Sequence, residues 1–317
     1  MVRADAPPPP IFATFAGAPT AADLQAAVAS GADFLVAPVV TASDGGLAVA
    51  PDVELSAFTD VAARADFADR RKDKTVAGSS RSGWFVDDFT LAELASLVSL
   101  PAKRDGRRAA APTLPRLQDL VDTARRASVT TGRVVGIAPL LVSPDYFAGR
   151  DLAVEPRLAE FIRRQGYDST AAAMIVHSSE PASLKTLKAL TQVRRVQVVN
   201  ADGGPVDDGA PRFRAMLSSQ GLALVSGWAG AIAPAEGLVI QPGNRGAILS
   251  TGLVQSARAV GLKIFARTDD RIAASLRQRI EALLVAGADG VETTSVAQAS
   301  RARSDAIDRL RRRAGLD

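Results

Sequence analysis

Short apolar runs recur along this chain, and segments with a helical spacing of apolar positions separate them. The run at 34–40, FLVAPVV, is rich in β-branched residues. A polar turn at 43–46 and a second short apolar segment at 47–49 follow it, which predicts strand, turn, strand. Seven further strand-like runs are predicted, at 11–15, 133–142, 173–176, 195–199, 230–234, 263–266 and 290–293.

Helical spacing appears between most of these runs. Helices are predicted at 21–30, 158–164, 213–220, 250–260, 276–285 and 296–313, with further helical faces around 117–124 and 184–190. Eight strand-like runs that alternate with helices favour parallel strands, and eight repeats predict an α/β fold of the (β/α)8 TIM barrel type. A doubly wound open sheet is the alternative. No G-x-G-x-x-G follows the first run, which argues against a dinucleotide site.

Residues 56–112 interrupt this alternation. The segment contains a charged run at 70–74 and one predicted helix at 91–97, with Thr90 as N-cap and Glu93 three residues later. We interpret it as an insertion after the second strand region. The domain organisation predicted from the sequence is therefore a proline-rich N-terminal arm at 1–10 and a barrel at 11–317 that carries the insertion.

The composition narrows the functional classes. The chain has 317 residues, of which 47% are hydrophobic and 23% charged, as in ordinary globular proteins. It has no cysteine, which excludes disulfides and thiolate sites, and one histidine, His177. Net charge is +4 and aromatic residues are 5%, so nucleic-acid binding is not predicted. No apolar run is long enough to predict a transmembrane helix, and the amino-terminal residues do not read as a signal peptide.

The frame at 31–55 resembles a known family. Gly31-Ala32-Asp33, a strand, the Asp44-Gly45 turn, a strand and the ending Asp52-Val53-Glu54-Leu55 resemble the core of the glycerophosphodiester phosphodiesterases. Further segments fit the same family in the same order, at 83–94, 136–139, 178–185, 259–263 and 286–291. The segment at 83–94, GWFVDDFTLAEL, resembles the insertion of the longer, typically exported members. The resemblance implies a TIM barrel, a link to lipid metabolism and a periplasmic or secreted protein, with a cytoplasmic protein as the alternative.

Active members of that family hydrolyse glycerophosphodiesters to an alcohol and glycerol 3-phosphate. They use one divalent cation, Ca²⁺ or Mg²⁺, held by carboxylates, together with two histidines and an arginine. In this chain the corresponding positions carry other residues, namely Thr14 and Phe15 for the first histidine and the arginine, Val36, Pro38 and Leu140 for metal carboxylates, Pro51 for the second histidine, Val142 for a lysine, and Thr294 for an aspartate near the last strand. The resemblance therefore predicts no bound metal and no family-type catalytic group.

Two functions follow from this comparison. The first is a catalytically degenerate, phosphodiesterase-like barrel (a pseudoenzyme) that binds a protein partner or a small phosphorylated ligand. The alternative is an active phosphodiesterase that produces glycerol 3-phosphate through a non-standard site. The candidate pocket residues are His177, Glu180, Arg267 and Glu292.

Each candidate has a plainer interpretation. His177 is either a ligand donor or relocated acid–base group, or a wall residue without chemistry. Glu180 is interpreted as support for a loop. Glu292, at the end of the last strand, is predicted to form an ion pair across the barrel mouth with Arg267, with a new ligand site as the alternative.

Overall fold

The computed structural model of the chain describes residues 7–100, 113–206, 209–244, 247–270, 272 and 275–315. In this part the strands are β1 (Ile11–Ala13), β2 (Phe34–Thr41), β3 (Leu47–Val49), β4 (Lys72–Val76), β5 (Ser79–Gly83), β6 (Gly136–Leu141), β7 (Ile175–Ser178), β8 (Arg194–Val199), β9 (Ala231–Pro234), β10 (Ile240–Pro242), β11 (Ile248–Ser250), β12 (Lys263–Arg267) and β13 (Gly290–Thr293).

The helices of the described residues are α1 (Ala21–Ala29), α2 (Leu91–Leu94), α3 (Leu117–Thr131), α4 (Pro144–Ala148), α5 (Val154–Arg164), α6 (Pro181–Leu190), α7 (Phe213–Met216), α8 (Ser219–Val225), α9 (Leu253–Ala259), α10 (Leu276–Val285) and α11 (Val296–Ala314). Short 3-10 turns lie at Asp60–Ala63, Ala65–Arg70, Val86–Asp88 and Glu236–Leu238. Among the described residues, no helix is long and apolar enough to cross a membrane.

Eight parallel strands form a closed barrel. Their order is β1, β13, β12, β9, β8, β7, β6, β2, and the pairing of β1 with β2 closes the ring. This closure confirms the predicted (β/α)8 barrel and excludes an open sheet. β3 turns back and pairs antiparallel with the end of β2. Because all eight strands run in one direction, their carboxyl ends form one face of the barrel, the mouth, and their amino ends form the N-terminal face.

A Gly-Ala-Asp sequence occurs twice at the N-terminal face and fixes the start of strands there. Gly31 ends the α1 turn with φ +103°, and two residues later the carboxylate of Asp33 accepts the backbone N–H of Ile11 at 2.9 Å. Gly287 has φ +99°, and Asp289 accepts the N–H of Ile264 at 3.0 Å. Only glycine adopts such backbone angles without strain. In each Gly-Ala-Asp sequence the glycine ends the helical region, and the aspartate accepts a backbone N–H near the start of a neighbouring strand.

Apolar side chains form three clusters. The largest lies between the strands and the surrounding helices. A second, the lumen cluster, fills the barrel interior with residues that alternate along the strands, namely Phe12, Phe34, Val36, Ala138, Leu140, Ile175, Val196, Val198, Ala231, Ala233 and Phe265. The third packs the insertion against the end of β2, β3 and α4. The barrel is thus a filled core.

Polar contacts also hold the insertion to the barrel. Lys74 of the β4–β5 hairpin lies 2.9 Å from the carboxylate of Asp87, which also accepts the hydroxyl of Tyr146 at 2.7 Å. Burial and the acceptor Asp87 raise the pKa of Tyr146, so the phenol stays protonated. Residues 1–6 of the predicted arm and 101–112 of the predicted insertion lie outside the described residues.

Several predicted boundaries differ from the structure. The helix expected at 91–97 ends at Leu94, and the one expected at 213–220 consists of two short helices because Ser218 caps a new helix, α8. The helix expected at 250–260 begins only at Leu253, since residues up to Ser250 belong to the β10–β11 hairpin. That hairpin and the β4–β5 hairpin were not predicted.

Candidate functional site

The barrel register brings several predicted site residues to one level near the mouth. Val36 pairs with Ala138, Pro38 with Leu140, and Leu140 with His177. Val36 and Leu140 both belong to the lumen cluster. The positions where the family resemblance expects metal carboxylates on β2 and β6 therefore present hydrocarbon side chains at neighbouring points of the inner wall.

The other substituted positions lie elsewhere. Thr14 follows β1, and its N–H donates to the carbonyl of Thr293 at 2.9 Å. Phe15 packs against the core between strands and helices, and Val142 packs against the insertion cluster. Pro51 is exposed after β3. The structure thus does not place these four side chains in the lumen cluster, which includes Val36 and Leu140.

His177 and Glu292 meet inside the barrel. The imidazole Nδ1 lies 3.2 Å from Oε1 of Glu292, and both side chains are more than nine-tenths buried. His177 lies two residues after Ile175 on β7, so the two side chains share the lumen face of the strand. Glu292 is the register partner of Phe12 on the neighbouring strand, so its side chain also faces the lumen. Neither His177 Nε2 nor Glu292 Oε1 has a well-formed hydrogen bond within the described residues. The two side chains therefore face each other among the apolar residues of the lumen cluster.

A cluster of three phenylalanine rings lies beside this pair and contacts it through Phe12. The ring of Phe12 stacks on Phe34 with centroids 4.8 Å apart and tilts against Phe265 at the same distance. It also lies 5.6 Å from the imidazole of His177. Phe12 is fully buried. Because Phe12 is fully buried and lies against the imidazole, it separates His177 from water on that side.

The predicted ion pair between Glu292 and Arg267 does not form. The two residues are register partners on β13 and β12, but Nη1 of Arg267 donates to Oδ1 of Asn200 at 2.8 Å instead. A guanidinium that entered the lumen would lose its hydration, whereas the partly exposed mouth keeps it wet. Glu292 therefore faces His177, and Arg267 faces the mouth.

Glu180 organises a loop. Its backbone precedes α6, and its carboxylate accepts the N–H of Val206 at 2.8 Å and the hydroxyl of Ser179 at 3.1 Å. Val206 lies in the connection after β8. The buried carboxylate thus ties two mouth loops together. Asp52 and Glu54 are similarly engaged, since Arg81 clamps Asp52 and Glu54 accepts the N–H groups of Ser56 and Trp84.

Sequence reasoning missed one carboxylate at the mouth, Asp270. Its side chain accepts the hydroxyls of Thr268, Thr293 and Thr294 and the N–H of Thr294. Thr294 is the position where the resemblance expects an aspartate, so a carboxylate from the end of β12 reaches that place. Its oxygens are already occupied by four donors. The Asp269-Asp270 pair, which begins two residues after the end of β12, is the signal that could have indicated it.

The residues at the mouth do not fit a Ca²⁺ or Mg²⁺ ion. Both cations require several oxygen ligands, and Val36, Pro38 and Leu140 supply none. The described residues contain no group of three or more His, Asp or Glu side chains that could hold a metal ion. His177 and Glu292 together offer one nitrogen and one carboxylate, which is too few for a hard cation.

A closed ring of eight parallel strands with helices between them and an insertion after the second strand defines a (β/α)8 barrel. A family model described as the glycerophosphoryl diester phosphodiesterase family matches residues 16–297. The chain therefore belongs to the glycerophosphodiester phosphodiesterase family. This confirms the family resemblance found in the sequence.

Individual relatives agree with this assignment. The chain is 24% identical over 259 residues to a glycerophosphodiester phosphodiesterase of Arabidopsis thaliana, covering 77% of this chain and 68% of that protein. The fold is similar to a crystal structure of glycerophosphodiester phosphodiesterase from Agrobacterium tumefaciens, with a TM-score of 0.60, 16% identity and 92% and 99% of the two chains covered.

A second similar structure carries a ligand. It is a phosphodiesterase from Oleispira antarctica in complex with the product sn-glycerol-3-phosphate, with a TM-score of 0.60, 16% identity and 94% and 97% of the chains covered. At this identity the similarity shows the shared fold.

Proposed function

We propose that this protein is a catalytically degenerate member of its family, which binds a small phosphorylated ligand or a protein partner at the barrel mouth without hydrolysing a diester. The observation that carries the proposal is the chemistry of the inner wall. Val36, Pro38 and Leu140 stand at neighbouring positions of β2 and β6, where hydrolysis by the family mechanism requires carboxylates. Without them a divalent cation is not held for Lewis-acid activation of a phosphoryl group. The single histidine of the chain also cannot supply the two histidines of the family.

A phosphorylated alcohol is the ligand class that this proposal favours. One relative of the same fold is described in complex with sn-glycerol-3-phosphate. In this chain the guanidinium of Arg267 lies at the mouth, held by Asn200, and has the planar donor geometry that suits phosphate oxygens. Residence in the periplasm or outside the cell, and a role in lipid metabolism, belong to the same proposal and rest on the resemblance of the insertion to that of longer, exported members.

A second candidate function is hydrolysis through the His177–Glu292 pair. A carboxylate beside Nδ1 of an imidazole is an arrangement found in many general bases. The 3.2 Å contact between the two side chains favours this candidate. Their burial opposes it, because a substrate would have to displace the packed lumen before it reached Nε2.

The two candidates differ in turnover. We expect no release of glycerol 3-phosphate from glycerophosphocholine, with or without Ca²⁺ or Mg²⁺, because removal of a general acid or base alone typically costs on the order of 10²–10⁴ in rate. We also expect sn-glycerol 3-phosphate to bind in titration calorimetry and Arg267→Ala to weaken that binding. Turnover above background that is lost in His177→Gln would support the second candidate and contradict the first.

A further inference from the structure

The N-terminal face of the barrel carries a concentration of cations. In a (β/α)8 barrel the helices end and the strands begin at this face, opposite the mouth. The basic residues in the last turns of four helices are Arg163 and Arg164 of α5, Lys188 of α6, Arg258 of α9, and Arg311, Arg312 and Arg313 of α11. At the starts of two strands stand Arg194 and Arg195 of β8 and Lys263 of β12.

Several of these cations contact backbone carbonyls and not carboxylates. Arg163 donates to the carbonyl of Leu190 at 3.1 Å, and Lys188 donates to that of Gly227 at 2.7 Å. Arg194, Arg195 and Arg258 likewise donate to carbonyls, those of Ala172, Val193 and Gly287 respectively. Carbonyls orient a cation without neutralising its charge. In the described part of the chain, none of these five residues forms an ion pair with a carboxylate, although Arg163 helps to lower the pKa of the nearby Asp168 and Arg195 is half-buried.

Three carboxylates at this face are already engaged. Asp33 accepts the N–H of Ile11 and receives Arg303 at 2.6 Å, and Asp289 accepts the N–H of Ile264. Asp168 accepts the hydroxyl of Thr191 at 2.6 Å and the N–H of Gln192 at 2.7 Å. These carboxylates fix the starts of strands. Arg164 is also paired with Glu160 at 3.7 Å, but the ten basic residues named above still outnumber these carboxylates.

Large aliphatic side chains are exposed among these cations. Val129 in the last turn of α3 is 85% exposed, Val134 before β6 is 72% exposed, and Leu224 in the last turn of α8 is 55% exposed. Leu190, whose carbonyl binds Arg163, is 38% exposed. The helix dipole accounts for cations in last turns. It explains neither the cations at strand starts nor the aliphatic side chains in water.

We propose that the N-terminal face docks on the surface of an anionic phospholipid bilayer. Clustered Lys and Arg side chains are attracted to anionic headgroups, and Val and Leu side chains that point outward enter the boundary between headgroups and acyl chains. The four exposed aliphatic residues supply no aromatic surface on which bases could stack, which disfavours a nucleic acid as the occupant. In this orientation the mouth points away from the membrane. The inference does not depend on whether the mouth is catalytic.

The first test is vesicle flotation of the full chain. We expect binding to vesicles that contain phosphatidylglycerol and little binding to vesicles of phosphatidylcholine alone. The bound fraction should fall as salt concentration rises, because salt screens the attraction. Equal binding to both vesicle types would overturn the proposal, and so would binding to a single-stranded RNA oligomer that exceeds binding to anionic vesicles.

A matched pair of charge reversals locates the surface. Arg163→Glu with Lys188→Glu changes the N-terminal face, whereas Arg212→Glu with Arg214→Glu makes the same change in charge on the mouth side, where both residues are exposed before and within α7. We expect the first variant to lose on the order of tenfold to a hundredfold in vesicle affinity and the second to lose much less. An equal loss in both variants would show that net charge alone governs binding and would refute a docking face.

A third variant tests the aliphatic residues without changing charge. Val134→Ser with Leu224→Ser alters two exposed side chains, so the fold should be unaffected, and equal melting temperatures would verify this. We expect the variant to lose the fraction of binding that persists at high salt. Unchanged binding at every salt concentration would show that these aliphatic side chains do not contact the membrane and would contradict the proposal that they enter the bilayer.

Discussion

Nδ1 of His177 lies 3.2 Å from Oε1 of Glu292 inside the barrel, on strands that are distant in the sequence but face each other across the lumen. Phe12 covers the imidazole, and both polar side chains are almost fully buried. A buried pair of this kind is sensitive to the loss of either partner. It is less sensitive to the loss of both, because the remaining group of a broken pair has no compensation for its lost hydration.

We predict that His177→Leu and Glu292→Leu, made singly, each destabilise the protein, by about 3 kcal/mol. The double variant should be no less stable than either single variant, since hydrocarbon then packs against hydrocarbon in the lumen. Urea unfolding of the four proteins measures this. If the loss of unfolding free energy in the double variant equals the sum of the losses in the two single variants, the side chains do not interact.

The second prediction concerns metal binding at the inner wall of the barrel. Only a ligand that binds the native state raises the melting temperature. Because Val36, Pro38 and Leu140 offer no oxygen ligand, millimolar Ca²⁺ or Mg²⁺ should leave the melting temperature unchanged, and so should EDTA. Differential scanning fluorimetry measures this directly. A rise of several degrees with either cation would reveal a metal site and contradict the proposed loss of the family chemistry.

Restoring the carboxylates provides the converse measurement. The triple variant Val36→Glu, Pro38→Asp, Leu140→Glu should melt at a lower temperature than the parent in EDTA, because it places acidic groups close together at the inner wall. Addition of Ca²⁺ should recover part of the loss. If Ca²⁺ instead has no effect on the triple variant, the three positions do not converge as the register indicates.

Much of the fold could be predicted from the sequence. The predicted bounds of α10 and β13 agree with the structure, and β2, α1 and β8 differ by one residue at an end. These segments carry apolar residues at a clear period. The β4–β5 hairpin could not be found in this way, because most of its side chains are polar and exposed and its strands have no apolar alternation.

The site was harder to predict than the fold. The sequence indicated that His177, Arg267 and Glu292 belong to strand ends, which follows from the pattern alone. Which carboxylate faces which cation depends on side-chain direction and hydration, and these are properties of the closed barrel. The sequence thus suggested Arg267 as the partner of Glu292, whereas the structure places His177 there.

The stability of the protein should depend on pH through the contact between Arg70 and Glu93 in the insertion. Arg70 makes two hydrogen bonds to Glu93, and with the N–H of Thr90 it lowers the pKa of that carboxyl from its usual range to about 2. A carboxyl whose pKa is lowered by folding adds stability above its unfolded pKa, and this is lost as pH falls towards the folded pKa. Glu93→Gln should therefore lower the melting temperature at neutral pH, and the difference from the parent should shrink between about pH 4.5 and pH 2.

Thermal melts across that pH range measure the effect, and Glu160→Gln is a suitable control. Glu160 contacts Arg164 at 3.7 Å on an exposed helix surface, so its loss should change little at any pH. A difference between Glu93→Gln and the parent that stays constant down to pH 2 would mean that the ionised carboxylate is not what stabilises the insertion.

The two Gly-Ala-Asp sequences allow a last, internally controlled prediction. Asp33 accepts the N–H of Ile11 and also contacts two arginines, Arg303 at 2.6 Å and Arg133 at 3.4 Å. Asp289 occupies the same place in its repeat and accepts the N–H of Ile264. Replacing either aspartate leaves a strand N–H without its acceptor, but only the loss of Asp33 also removes a carboxylate that two guanidiniums contact.

We therefore expect Asp33→Ala to destabilise the protein more than Asp289→Ala, by about 2 kcal/mol, given the greater strength of hydrogen bonds to charged groups. Urea unfolding compares the two, and Asp33→Asn separates the contributions, because an amide oxygen still accepts the N–H of Ile11 but carries no charge. If Asp33→Asn is as stable as the parent, the arginines contribute nothing and the N–H contact alone closes the barrel between β1 and β2. If it falls midway, as we expect, Asp33 joins the barrel strands through its acceptor and the closing helix α11 through its charge.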